Sequence, residues 1–369
     1  MNEDAKRIFQ RDRRPHLFRP WTVRSVTLRN RIVLSPMCQY SGSDGMPNDW
    51  HFGHLAARAV GGTGLIFTEA TNVEPRGRIT PQCLGLWNER QRDAFARIAA
   101  FVSAQGAVPG IQLGHAGRKA SITRPWEGSR PLAREEAGWD AIAPTSEPYD
   151  ERFPPPIAMD ASTIADVLAA TARASRLARE AGFKVVELHA AHGYLIHEFL
   201  SPVVNTRTDA YGGPLIQRAR FLLEMIDAIR SEWPMDLPFF VRLSCTDWIE
   251  GGWTLDDTIA LARLLAARRD VDLIDCSSGG IAPRQQMSIH PGYQVPFARA
   301  VRERSGMATA AIGLIHTADM AEEIIANGDA DLVALGRTLL ADPYWPLNAA
   351  RALRAQIDWP VQYERANIF

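Results

Sequence analysis

The sequence has little of what several specialised classes of protein require. Its four cysteines, Cys38, Cys83, Cys245 and Cys276, are scattered without a CxxC pair, which fits neither a disulfide framework nor a zinc or iron–sulfur site. No apolar run approaches the roughly 20 residues of a membrane helix. The N-terminal stretch mixes acids and bases and lacks the apolar core of a secretory signal. These absences predict a protein of the reducing cytoplasm.

An excess of charge of one sign is also missing. The chain has 41 basic and 42 acidic residues, a net charge of −1, which argues against a general binder of nucleic acid or anionic membranes. No GxGxxG motif follows any predicted strand, which weakens the case for an open dinucleotide-binding sheet. At 46% hydrophobic content, the 369 residues do contain enough apolar material for one large core.

Short apolar runs recur along the whole chain, separated by stretches with helical spacing. Runs of this length are typical of parallel strands buried on both faces. Eight strand–helix units predict an α/β fold, a closed (β/α)8 TIM barrel formed as a single domain over 1–369. The predicted strands are 31–38, 64–70, 108–114, 184–189, 238–244, 272–277, 308–314 and 331–335, and the clearest predicted helices are 165–181, 217–232 and 256–268.

Two segments do not fit the repeat. Residues 17–29 alternate in polarity and predict a short N-terminal hairpin that plugs the bottom of the barrel. Residues 116–162, rich in Pro, Gly and Trp, interrupt the helix expected after the third strand. An insertion there lies on the catalytic side of the barrel and predicts a lid or a wall of the substrate site.

The strongest chemical pattern is ELHAAHGYLIHEFLSP, at the end of the fourth predicted strand. Reactive residues of such barrels lie at the carboxyl ends of the strands. His189, His192 and Tyr194 can donate hydrogen bonds to a substrate oxygen and supply a proton. Structural histidines are one alternative, and a metal-dependent hydrolase using His115 with the pair is another, although no carboxylate-rich set accompanies them. We interpret His197 as structural.

The other strand ends carry groups that suit a flat, phosphate-bearing ligand. Cys38 is either a small buried hydrophobe or a thiol beside a redox centre. Arg242, inside an apolar strand, faces either an anionic ligand group or a barrel carboxylate. A barrel that binds a phosphorylated ligand without catalysis remains a further alternative at this point. The remaining candidates are Ser35 and Met37 on strand one, Gln112 on strand three, and Gly313, Gly336 and Arg337, which suit phosphate binding near strands seven and eight.

The sequence resembles the Old Yellow Enzyme family of flavin oxidoreductases over nearly its whole length. The matching segments include LRNRIVLSPMCQYS, IQLGHAGRKAS, RLSCTDWIEGGWT, ALGRTLLADPYWP and PVQYERA, in the family's order. Cys38, Tyr40 and the His-Ala-Ala-His pair resemble its bacterial, thermophilic-like branch. One departure is YGGPLIQR, where Pro214 and Gln217 replace the residue types usual in the family, and we expect only local effects on a helix start.

The resemblance implies an FMN-dependent ene-reductase that uses NADPH or NADH. His189 and His192 would bind the substrate oxygen, aided by Tyr40, and Tyr194 would be the proton donor. Arg365 would reach the substrate site of a neighbouring subunit, which implies a homodimer or homotetramer. The implied FMN contacts are Ser35, Pro36, Met37, Cys38, Ala70, Gln112, Arg242, Gly313, Gly336 and Arg337, with Cys38 tuning the flavin rather than acting as a nucleophile.

The implied substrates are small molecules with an activated double bond. They comprise enones, enals, maleimides and nitroalkenes, and phenols would bind as ligands of the same oxygen-binding pair. Neither nucleic acid nor a membrane is expected as a partner.

Overall fold

The computed structural model describes residues 14–367. The interpretation of the first 13 residues as no secretory signal therefore lies outside the described part of the chain. Eight parallel strands close into a barrel, which confirms the predicted (β/α)8 fold. They are β3 (Ile32–Leu34), β4 (Leu65–Asn72), β5 (Val108–Gly114), β8 (Val185–Ala190), β9 (Phe239–Ser244), β10 (Leu273–Ser277), β11 (Ala308–Ala311) and β12 (Leu332–Leu335). Their order round the barrel is β10-β11-β12-β3-β4-β5-β8-β9.

Two strands end at least three residues earlier than predicted, both at the mouth of the barrel. β3 ends at Leu34 rather than at Cys38, and β11 ends at Ala311 rather than at residue 314. The backbone N–H of Ser35 still donates to Leu335 at 3.1 Å, but the chain then leaves the ladder. Tyr40 has a φ of 48°, a left-handed conformation that no strand adopts. Residues 35–40 therefore form a loop at the mouth rather than the end of a strand.

The helices begin at side-chain caps that the sequence supplies. Asn48, Asn88 and Thr254 form capping boxes, and Asp160 and Thr317 accept from backbone N–H groups in the first turn. The α-helices are Asp49–Val60, Glu89–Ala104, Ala161–Glu180, Leu195–Leu200, Leu215–Arg218, Arg220–Arg230, Leu255–Arg268, Val295–Ser305, Ala318–Ala326, Arg337–Ala341 and Trp345–Ala352.

The predicted helix 165–181 is four residues longer at its start and stops before Gly182, whose φ is 92°. The predicted helix 217–232 is instead two pieces that meet at Ala219, and the second piece ends at Arg230. None of the helices in the described residues is long and apolar enough to cross a membrane.

An antiparallel hairpin of β1 (Trp21–Val23) and β2 (Val26–Leu28) lies at the amino ends of the barrel strands. Val26 and Leu28 pack in one buried cluster with inward-facing side chains of the barrel strands. The ring of Trp21 meets that of Phe240 edge-on, with 6.3 Å between centroids. This end of the barrel is filled with apolar side chains, as a packed core requires.

Residues 116–162 have little regular structure. They contain short 3-10 turns and a two-stranded parallel pair, β6 (Ile142–Ala143) and β7 (Ile157–Ala158). Several of their apolar side chains form, with Ile79 and Cys83, a separate buried cluster, against which Cys38, Tyr40 and Tyr194 pack. The insertion therefore lies beside the mouth of the barrel.

Candidate active site

The two histidines and the tyrosine of the HAAHGY stretch lie together at the carboxyl end of β8. The ring centroids of His189 and His192 are 5.0 Å apart, and those of His189 and Tyr194 are 5.1 Å apart, both edge-on. His192 has a φ of 61°, which turns the chain out of the strand. Tyr194 then stands at the start of the helix Leu195–Leu200. Three groups that can donate a proton or a hydrogen bond thus share one small region.

Two serines that sequence reasoning missed hold His192 in place. The hydroxyl of Ser244 accepts from the backbone N–H of His192 at 2.9 Å, and the hydroxyl of Ser277 lies 2.6 Å from its Nε2. The serines end β9 and β10 respectively. Each lies two residues after another inward-facing polar residue, so period-two alternation along these strands could have identified them.

Burial decides the protonation states of the cluster. Burial, followed by the positive charge of Arg242, lowers the pKa of His189 and His192 well below the ordinary range, so both rings are neutral near pH 7. Burial raises the pKa of Tyr194 and of Tyr40 above the ordinary range. Both phenols therefore keep their protons, and the site offers neutral donors rather than charges.

Beneath the cluster lies a second layer of polar side chains, which we call the polar layer: Gln112, Glu187, Arg242 and Asp275. All four are at most 4% exposed. The Nε of Arg242 lies 3.3 Å from Oδ2 of Asp275, and its Nη1 donates to Ser35 at 3.1 Å. The barrel carboxylate considered as one partner for Arg242 is therefore present. The amide of Gln112 donates to Oε1 of Glu187 at 2.8 Å.

The polar layer contains two carboxyl groups that sequence reasoning missed. Glu187 lies two residues before His189, and Asp275 lies two residues before Ser277. In a strand that spacing places both members of each pair on the same face. The signal was present in the sequence, but it was hidden within runs that are otherwise apolar.

A buried carboxyl supports the loop 35–40 from behind. Oε2 of Glu69 accepts from the backbone N–H of Gln39 at 3.1 Å, and its Oε1 lies 3.1 Å from Nε2 of His51. Burial raises the pKa of the Cys38 thiol well above its ordinary value, so Cys38 is a protonated thiol rather than a nucleophilic thiolate. Ala70, which follows Glu69, is 8% exposed.

Two glycines follow β11 and β12, and β12 lies across the mouth from the histidine strand β8. Gly313 has a φ of 121°, and a Cβ there would lie 3.2 Å from Gln294. Gly336 precedes the short helix Arg337–Ala341, and a Cβ there would lie 3.4 Å from the sulfur of Met37. Arg337 is exposed. A flat ligand with an anionic end can approach such backbone closely, so the residues present fit FMN.

Not every sequence-predicted residue joins this group. Arg365 is exposed on the 3-10 turn Val361–Ala366, and within residues 14–367 it is not part of the cluster around His189. A cavity of about 670 Å³ is lined by tail residues together with Arg29 and Gly106. Those positions precede β3 and β5, so that cavity lies at the end of the barrel away from the histidines.

The two other histidines near the motif have structural partners. Nε2 of His115 lies 3.0 Å from Oε1 of Glu74, and Nε2 of His197 lies 2.8 Å from Oδ1 of Asp247. The structural interpretation of His197 agrees with this pairing. Among residues 14–367, no group of three or more His, Cys, Asp or Glu side chains is arranged to hold a metal ion.

Comparison with known proteins decides between the alternatives. The model of the NADH:flavin oxidoreductase / NADH oxidase family matches residues 16–356. The chain belongs to this family. The resemblance to Old Yellow Enzymes is thereby confirmed, and the metal-dependent hydrolase is not favoured. Family membership makes the protein an oxidoreductase that uses FMN and a nicotinamide cosubstrate.

Individual relatives cover almost the entire chain. It is 46% identical to the NADPH dehydrogenase of Bacillus subtilis (strain 168) and 45% identical to that of Geobacillus thermodenitrificans (strain NG80-2), in each case over 95% of this chain and 98% of the relative. Among solved structures, morphinone reductase is similar with a TM-score of 0.75 and 26% identity, over 94% of this chain and 92% of that one. A 2-naphthoyl-CoA reductase has a TM-score of 0.82 and 28% identity, over 91% of this chain and 52% of that chain.

Proposed function

We propose that the protein is an NADPH-dependent ene-reductase. It would reduce a carbon–carbon double bond conjugated to a carbonyl or nitro group. The observation that carries this proposal is the cluster of neutral donors, His189, His192 and Tyr194, above the buried polar layer and beside bare glycine backbone. The relatives called NADPH dehydrogenase support the choice of NADPH.

FMN, when bound, supplies the hydride that it takes from NADPH. We assign its binding to the residues around the mouth. The side chains of Ser35, Gln112 and Arg242 would hold the polar edge of the ring. Pro36, Met37, Cys38 and Ala70 would line the ring, and Gly313, Gly336 and Arg337 would hold the phosphate end.

The histidines would bind the substrate oxygen as neutral donors. Nδ1 of His189 lies 3.4 Å from the backbone N–H of Ala191, which donates to it, so the ring proton belongs on Nε2. The Nε2–H group is then available to the oxygen of an enone or nitroalkene. Hydrogen bonds to that oxygen stabilise the negative charge that develops when hydride reaches the β-carbon.

Tyr194 would deliver a proton to the α-carbon. Its raised pKa keeps the phenol protonated at neutral pH, and its ring lies beside that of His189. A positioned proton donor contributes typically about 10²–10⁴ in rate. Tyr40 would complete the oxygen-binding site from the loop 35–40.

The insertion 116–162 would form one wall of the substrate site. Trp126 is 63% exposed, and its ring meets that of Tyr40 edge-on at 6.0 Å. An exposed tryptophan beside a predicted substrate residue suits contact with the distal part of a substrate. This arrangement supports the interpretation of the insertion as a substrate wall.

Arg365 would act in the site of a neighbouring subunit in a homodimer or homotetramer. Its exposure on the tail leaves it free to do so. Size-exclusion chromatography with light scattering tests the assembly, and an Arg365→Ala variant tests the role in substrate binding. A monomeric protein with full activity would exclude both. We place the enzyme in the cytoplasm because its four cysteines are unpaired thiols.

The visible spectrum of the purified protein tests the main proposal. A yellow protein that bleaches with NADPH under anaerobic conditions and regains its colour with 2-cyclohexenone would establish both half-reactions. Bleaching without recovery would leave an NADPH oxidoreductase that does not act on enones. A His189→Ala/His192→Ala double variant should still bleach with NADPH, but its rate of reoxidation by 2-cyclohexenone should fall by at least about 10²–10³-fold. If that variant recovers at the wild-type rate, the oxygen-binding role is wrong.

A further inference from the structure

The polar layer contains more acid than its one cation can neutralise. Glu187, Arg242 and Asp275 point inward from the consecutive strands β8, β9 and β10. They are 1%, 4% and 3% exposed. If both carboxyls were ionised, this buried layer would hold a net charge of −1. An uncompensated charge away from water is costly, and the usual result is that a carboxyl takes up a proton.

The contacts indicate which carboxyl is the charged one. Asp275 has the guanidinium of Arg242 as its partner, at 3.3 Å. Within residues 14–367, the hydrogen-bond partner of Glu187 is the amide N–H of Gln112, at 2.8 Å. Gln112 on β5 and Arg242 on β9 face Glu187 from the two neighbouring strands, and Asp275 acts on it from β10, one strand further round the barrel. His189 lies two residues further along the strand of Glu187 itself. The ionised form belongs on Asp275 and the neutral form on Glu187.

The electrostatics of the pair agree with this assignment. Burial, followed by the negative charge of Asp275, raises the pKa of Glu187 to about 8. Burial also raises the pKa of Asp275, against the lowering effect of Arg242. The two carboxyls are close enough to influence each other, so the proton belongs to the pair.

We propose that Glu187 holds the single proton of the Glu187–Asp275 pair beneath the proposed FMN site, that this proton makes the polar layer neutral at physiological pH, and that its loss weakens the binding of FMN. The inference rests on the proposed cofactor contacts of Gln112 and Arg242. Glu187 is thus a positioning residue that acts through Gln112, because accepting from one amide N–H fixes how the amide faces the mouth. Loss of the proton would add a negative charge at the polar edge of the ring site.

Infrared spectroscopy tests for the proton itself, in both apoprotein and holoenzyme. The wild-type spectrum minus that of Glu187→Gln should contain the carbonyl stretch of a protonated carboxylic acid at pH 7, and the band should fade as the pH rises through about 8. In Asp275→Asn the Glu187 band should be missing, because Arg242 is then left to neutralise Glu187, which ionises. If the band is absent in the wild type, or persists in Asp275→Asn, the proposal that Glu187 holds the proton of the pair is wrong. If Glu187→Gln does not fold, the spectrum of the wild type minus that of Asp275→Asn provides the same test.

The affinity for FMN tests the consequence. The dissociation constant of the wild type should rise by up to about tenfold per pH unit above about 8. In Glu187→Gln the new side chain is neutral at every pH, so the dissociation constant should lack this rise. Because wild type and variant are compared at the same pH, the ionisation of FMN itself affects both equally. If the affinity of the wild type for FMN has the same pH dependence as that of Glu187→Gln, ionisation of Glu187 does not affect FMN binding and this part of the proposal is wrong.

Glu198 provides a matched control outside the polar layer. It is also buried, and burial raises its pKa to about 8, but its partner is the backbone N–H of Arg118 at 2.9 Å. Glu198→Gln should therefore keep the pH dependence of FMN affinity. If this variant also abolishes the dependence, the effect is not specific to the polar layer and the proposal is wrong. Bleaching of the wild type by NADPH is measured in a separate experiment. Failure of the proposed function can therefore be distinguished from failure of the proposal about Glu187.

Discussion

The two ends of the barrel are built from the same eight strands but filled with opposite kinds of side chain. At the amino ends, inward positions are apolar, as at Val185, Phe240 and Leu273, and the hairpin β1–β2 covers them. One inward position further along the same three strands come Glu187, Arg242 and Asp275. One scaffold therefore provides a stable, closed end and a polar, reactive end.

Burial therefore has opposite effects on stability at the two ends of the barrel. Apolar burial at the amino end is non-directional and adds to the free energy of unfolding. Polar burial at the carboxyl end costs free energy unless every group finds a partner. Ser277 on His192, Asp275 on Arg242 and Glu187 on Gln112 are such partners.

Tyr194→Phe should affect the reactive end alone. The variant removes the phenolic proton but keeps the ring that packs beside His189. Reoxidation by 2-cyclohexenone should slow by about 10²–10⁴-fold, whereas bleaching by NADPH should keep its wild-type rate. Stopped-flow absorbance of the two half-reactions measures both rates. Equal slowing of both half-reactions would mean that Tyr194 positions the site rather than donates the proton.

Phe240→Ala should affect the closed end. Phe240 is 1% exposed and contacts the rings of Trp21 and Phe67. Removal of a buried phenylalanine costs about 3–5 kcal/mol in the free energy of unfolding. Denaturant titration should detect that loss, while kcat of the remaining folded enzyme stays near the wild-type value. Ile216→Ala, at a site 52% exposed, should change stability by less than about 0.5 kcal/mol.

The stability of the reactive end should depend on pH through the two histidines. Their pKa values are lowered in the folded state. Below about pH 6.5 the two histidines therefore bind protons in the unfolded chain but stay neutral in the folded protein. The free energy of unfolding should therefore fall on acidification, by at most about 1.4 kcal/mol per pH unit for each histidine. Urea midpoints at several pH values measure it. His189→Asn should flatten the dependence, and an unchanged slope would contradict the assignment.

Trp126→Ala should have the smallest effect and should depend on substrate size. Trp126 is largely exposed and contacts Tyr40 only at its edge, so the fold should not depend on it. We expect KM for 2-cyclohexenone to change little and KM for a bulkier enone to rise several-fold, at roughly 1 kcal/mol for a lost aromatic contact. Steady-state kinetics with the two substrates provides the comparison. A uniform change in kcat for both would argue against a substrate wall.

Much of the fold could be predicted because its signals are local. Each barrel strand is a short apolar run, and the stop of the helix Ala161–Glu180 is marked by Gly182 within a few residues. The ends of β3 and β11 were placed too far along the chain because apolar composition continues after the ladder stops. The break at Ala219 was missed because the spacing of apolar residues continues across it.

The candidate site divides in the same way. His189, His192 and Tyr194 lie within six residues of one another, so the sequence could place them together before the fold was known. Glu187 and Asp275 are harder to identify, because each lies in a buried strand of mostly apolar composition and its partner, Gln112 or Arg242, comes from another strand. The contact of Trp126 with Tyr40 spans 86 positions of irregular chain, and no local rule predicts it.

The local sequence is enough to predict a set of parts: eight buried strands, the helices between them, the histidine–tyrosine cluster and membership of a flavin oxidoreductase family. Which distant groups meet depends on the tertiary structure: Arg242 meets Asp275 and Ser35, and within the described chain Arg365 is not part of the cluster. The physical reason is barrel closure. The register between neighbouring strands fixes the height of every inward side chain, and that register depends on the packing of the whole molecule.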